Sequence, residues 1–98
     1  MHQIPQEKQT QIIKVIEIFF PNAKIYLFGS RAKNTHTAIS DIDIAVDAGQ
    51  PMGIVERGQI NSMLEALSIP QNIDVVDFQR APEALRANIL HDGIVWKN

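Results

Sequence analysis

A chain of 98 residues, 45% apolar and 20% charged, has room for one modest core, so no separate substrate-binding domain is expected beside it. Its formal charge of −2 gives no general basic surface, which disfavours a nucleic-acid partner, and the absence of cysteine excludes disulfides and thiolate chemistry. The opening MHQIPQEKQ has no secretory hydrophobic region and no apolar run reaches membrane-spanning length, so the expectation is a cytoplasmic protein with no membrane partner.

Pro5 suits a first helical turn. Ile12, Ile13, Ile16, Phe19 and Phe20 then recur at three- and four-residue spacing up to Pro21, which predicts an amphipathic opening helix. KIYLF, residues 24–28, is β-branched and aromatic and ends at Gly29, the pattern of a buried strand; the polar SRAKN can start a short helix. DIDIAV, 41–46, alternates, placing Ile42, Ile44 and Val46 on one face of a second strand and Asp41 and Asp43 on the other. Beyond the turn-rich DAGQPMG, Ile60, Met63, Leu64 and Leu67 predict a helix over 54–67 that breaks before Pro70. IDVVDF, 73–78, reads as a third strand. APEALRANILHDG reads as a closing helix with Leu85, Ile89 and Leu90 on one stripe and Gly93 as its stop, and IVW as a short edge strand. The expected class is α+β: residues 1–98 as a single domain of two layers, with helices packed on one face of a sheet.

One constellation carries chemistry. Gly29 and Ser30 are followed, after ten intervening residues, by Asp41-Ile42-Asp43. Two carboxylates at i and i+2 of a strand suit a hard cation such as Mg²⁺, which keeps waters and takes a few protein carboxylates together with substrate phosphates. A strand that ends at glycine and opens into a helical turn lets backbone N–H groups and the Ser30 hydroxyl approach those phosphates. Activating an attacking oxygen and stabilising a leaving one with two metals generally wants a third carboxylate. Asp74 supplies it if the third strand lies beside the second; Asp77 has the opposite parity and faces away.

Other polar residues read as less specific. Arg31 and Lys33 could neutralise triphosphate charge or be solvated surface, and the sequence leaves this open. Asp47, His2 and His36 read as surface. Arg86 and His91, five residues apart, project about 140° apart on a helix and do not share a site.

The Gly29-Ser30 and Asp41-Ile42-Asp43 spacing, with NIDVVDFQRAPEALRANIL downstream, resembles the nucleotidyltransferase superfamily that includes DNA polymerase beta, and more closely the bacterial minimal nucleotidyltransferases. The resemblance implies a nucleotidyltransferase fold with a mixed β-sheet. It implies ATP as substrate and a two-metal Mg²⁺ site, with Asp41, Asp43 and Asp74 as catalytic residues and metal ligands and Gly29 and Ser30 as nucleotide-binding residues. It further implies a hetero-oligomer with a helical HEPN-type toxin, in which this chain is the antitoxin and attaches AMP to a tyrosine of that partner. Two alternatives stand beside it: a non-catalytic nucleotide-binding module that neutralises a helical partner by complex formation, and transfer to a small-molecule hydroxyl such as that of an aminoglycoside.

Overall fold

In the computed structural model, residues 4–35, 37 and 39–98 are described; His2 and His36 lie outside them. Helix α1 spans Gln6–Phe19, strand β1 Lys24–Phe28, β2 Ile42–Asp47, helix α2 Ile54–Ala66, β3 Ile73–Asp77, α3 Glu83–Asp92 and β4 Ile94–Lys97. Single 3-10 turns follow β1, at Gly29–Arg31, and β3, at Phe78–Arg80. The four strands lie in the order β3-β2-β1-β4. β1 runs antiparallel to both β2 and β4, while β2 and β3 are parallel, joined through α2 as a parallel pair requires. The sheet is therefore mixed, and the class is α+β.

Alternation along the strands divides the core. Ile25 and Leu27 of β1 and Ile42, Ile44 and Val46 of β2 point to one face, where Ile12, Val15 and Ile16 of α1 and Ile60 and Leu64 of α2 close over them. Each such isoleucine withdrawn from water contributes about 1.5–3 kcal/mol. Tyr26 and Ala45 point to the other face, where they form a smaller cluster with Phe78 and Ile89. Here the fold departs from helices on one face only: α3 covers part of the opposite face. The reason lies in β1, whose Tyr26 and Phe28 make that face half apolar and in need of cover, supplied by Ile89 and Leu85. The stripe expected on α3 is accordingly narrower, for Leu90 is 62% exposed.

Boundaries shift by a residue or so. β2 begins at Ile42 rather than Asp41 because the first ladder partner is Ile42 with Ile73, and the Ile42 N–H donates to the Asn72 carbonyl at 2.8 Å. Phe78 leaves β3 and opens the second 3-10 turn.

Asp77, 3% exposed, points toward the α2 side of the sheet and ties the connection after β2 to the end of β3. It accepts from the Met52 N–H at 2.9 Å and the Gln79 N–H at 3.1 Å, and Arg80 stands 3.4 Å away. Asp77→Ala strands the Met52 donor, so the expected loss is about 2–3 kcal/mol of unfolding free energy. A urea titration checks it; chemistry on the opposite face should be unchanged per folded molecule.

Candidate active site

The face of the sheet opposite α1 and α2 carries the carboxylates. Across three strands, Phe28 pairs with Asp43 and Asp43 pairs with Asp74. Neighbouring strands lie about 4.8 Å apart, so register alone sets Asp74 beside Asp43. Asp41, exposed and two residues before Asp43, sits just outside β2. Asp74 is exposed as well, on an edge strand, whereas Asp43 is half-buried between them.

Gly29 is fixed by this arrangement. It leaves β1 with φ of +76°, and a Cβ at this position would overlap the Asp43 carboxylate. Two separate constraints, backbone handedness and close approach to Asp43, thus demand glycine where the chain turns. Ser30, next in the turn, is half-buried, and its carbonyl accepts from the Thr35 N–H at 2.9 Å. The Gly29–Ser30 turn and the carboxylate row are in direct contact, although ten residues separate them in the chain.

The electrostatics match the geometry. Burial, then the Asp74 carboxylate, then that of Asp41 hold Asp43 above the ordinary carboxylate value, against the opposing influence of Arg31. A raised folded-state pKa favours the folded state while the group is protonated. That contribution is fully present below the unfolded value and is lost as pH rises through the raised one. Asp43→Asn should therefore raise the melting midpoint of the ligand-free chain at neutral pH, with the difference vanishing below the usual value of 3.8. Thermal melts of both proteins across that range provide the check.

Three hard oxygen donors in a row suit Mg²⁺. Among the described residues no group of three or more His, Asp or Glu side chains closes into a ready cation cage. The carboxylates stand open on one side, which fits an ion whose remaining ligands are waters and substrate phosphates.

The residues around the row fall into place unevenly. Arg31 is not solvated surface: it is 5% exposed and donates to the Ser40 carbonyl from Nε at 3.3 Å and from Nη2 at 2.9 Å. Lys33 is exposed and reaches Asp92 at 4.0 Å. Asp47 accepts from the Gly49 N–H and from Gln79 Nε2, away from the row. His91 is exposed and pairs with Asp92. Sequence reasoning did not single out the cleft of about 420 Å³ at the β3 edge, which lies on the α2 side and is lined by Asn61, Glu65, Gln71 and Asn72. Its residues come from two segments, 61–65 and 69–74.

Residues 10–97 match the family described as polymerase beta, nucleotidyltransferase. The chain belongs to this family. Among its relatives, the protein adenylyltransferase MntA of Shewanella oneidensis is 33% identical over 89 residues, which are 90% of this chain and 63% of that protein. This chain thus spans less than two thirds of that relative's length. A chain of a toxin-antitoxin crystal structure with AMP-PNP superposes with a TM-score of 0.76 at 30% identity, covering 90% of this chain and 71% of that one. A chain from the complex of a tri-AMPylated Shewanella oneidensis HEPN toxin with its MNT antitoxin gives a TM-score of 0.73 at 28% identity, covering 95% and 71%. The mixed sheet is the nucleotidyltransferase fold. Among the described residues no helix is long and apolar enough to cross a membrane.

Proposed function

We propose that this chain, with residues 1–98 as one minimal nucleotidyltransferase domain, moves AMP from ATP to a hydroxyl, in first place a tyrosine, of a helical HEPN-type toxin in the cytoplasm. It thereby acts as the antitoxin of the pair. The observation that carries the reading is the contact of Gly29 with Asp43 and the pairing of Asp43 with Asp74, which together join a phosphate-approach turn to a carboxylate row. The AMPylated toxin in one structural neighbour and the adenylyltransferase name of the relative support the acceptor and the nucleotide.

Asp41 and Asp43 would hold Mg²⁺, with Asp74 completing the set. The ion supplies positive charge against the triphosphate and the developing oxyanions. The Gly29–Ser30 turn orients the phosphates through the Ser30 hydroxyl and the backbone. Asp74, exposed on the edge strand β3, is reached by a hydroxyl from another molecule and accepts or orients its proton. The acceptor oxygen then bonds to the α-phosphorus, the bond from that phosphorus to the β-phosphate oxygen breaks, and pyrophosphate leaves.

ATP labelled at the α-phosphate tests this when the chain is incubated with its co-purifying helical partner and Mg²⁺. Label should appear on the partner from the α-position and not from the γ-position. Asp74→Asn should reduce labelling sharply and Asp77→Ala should not, per folded molecule. A stable, neutralised complex that takes no label would replace the enzyme with a binding module.

A further inference from the structure

The ten residues between Ser30 and Asp41 must deliver the Asp41 and Asp43 carboxylates to a turn they touch, yet they bury little of their own. Lys33, Asn34, Thr35 and Thr37 are exposed, and Ile39 is 88% exposed. Apart from Ala32, which packs against the core, apolar packing therefore does not fix this loop among its described residues. Its first half is bound back to the turn, with the Lys33 N–H on the Gly29 carbonyl at 3.2 Å and the Thr35 N–H on the Ser30 carbonyl at 2.9 Å. Its second half closes on itself, the Thr37 N–H donating to Ser40 Oγ at 2.9 Å and the Ser40 N–H to the Thr37 carbonyl at 3.2 Å.

Arg31 joins the two halves. From the residue after Ser30, its buried guanidinium reaches the Ser40 carbonyl through Nε and Nη2 and the Thr37 carbonyl through Nη2 at 3.4 Å. Ser40 is the residue immediately before Asp41. A buried cation held by carbonyl oxygens is an exacting arrangement, because the planar fork must keep its donors satisfied in one geometry.

We propose that Arg31 is a positioning residue for nucleotidyl transfer: its guanidinium spans the loop and holds Asp41 and Asp43 at a fixed separation from the Gly29–Ser30 turn. This rests on the reading of that turn and those carboxylates as one nucleotide site. The fork, not the charge alone, sets the separation, so a lysine is a poor substitute: its ammonium is a point donor on a flexible stem.

Arg31→Lys is the deciding variant, assayed as purified protein with its partner. The transfer rate constant kcat should fall by about 10- to 100-fold, as a displacement near 1 Å costs, with KM for ATP rising by no more than about tenfold. Calorimetric affinity for Mg²⁺ with AMP-PNP should fall about tenfold, since carboxylates and turn no longer engage the ligand together. Ile39→Ser, which alters a side chain of the same loop that is 88% exposed, should leave both within about twofold. A purely structural Arg31 would move the urea midpoint and leave kcat and affinity per folded molecule unchanged. That result, or loss of the fold in Arg31→Lys, overturns the proposal. Asp43→Asn in the same calorimeter separates the two claims. If it binds as wild type, the reading of the site fails; if it loses binding while Arg31→Lys does not, only the positioning role fails.

Discussion

Asp43→Asn is expected to lower nucleotidyl transfer by about 10²–10³-fold or more while leaving a folded protein with a higher melting midpoint. The two effects share one origin. Asp43 is half-buried, paired across the strands with Asp74 and two residues from Asp41, and in the absence of ligand its charge is repelled by both. Asparagine removes that repulsion and with it the negative oxygen at the centre of the row. Asp41→Asn should show the same loss of rate with a smaller stability gain, since Asp41 is exposed. Rates with excess ATP and Mg²⁺, alongside thermal melts of ligand-free protein, measure both. A variant that is less stable and fully active would contradict the account.

Gly29→Ala should be the most damaging single substitution outside the carboxylates. Its φ of +76° disfavours a side chain, and the new methyl group would overlap one oxygen of the Asp43 carboxylate, which must shift. The backbone part alone costs about 1–2 kcal/mol. The displacement of Asp43 adds a loss of transfer of about 10²-fold. Gly49→Ala is the matched control. Gly49 has φ of +81° but nothing within 4 Å of an added Cβ, so it carries the backbone penalty without the clash. Equal unfolding losses with unequal activity would separate handedness from contact; equal activity losses would show that Gly29 does not act through Asp43.

Much of this site was legible because strand periodicity is strict. Alternation in DIDIAV assigned Asp43 to the face opposite Ile42 and Ile44, and parity in IDVVDF separated Asp74 from Asp77. Asp77, on the other face, is buried and bonded to Met52 and Gln79. What stayed hidden depends on contacts between distant segments. For Arg31 in a polar run the sequence left solvated surface and triphosphate contact both open, and its hydrogen bonds to the Thr37 and Ser40 carbonyls depend on the return of the loop. The place of α3 was equally hidden. Tyr26 and Ala45 need cover, yet neither KIYLF nor the closing helix reveals that Ile89 provides it. Leu90 matched the helical spacing and still faces water, because the narrow patch it would cover is already filled.

Calorimetric titration of the chain with AMP-PNP, in Mg²⁺ and again in excess chelator, most directly tests whether the Gly29–Ser30 turn and the Asp41, Asp43 and Asp74 row form one metal-dependent nucleotide site. The account predicts saturable binding in Mg²⁺ that is lost in chelator and in Asp43→Asn. Binding of equal affinity in all three would contradict it.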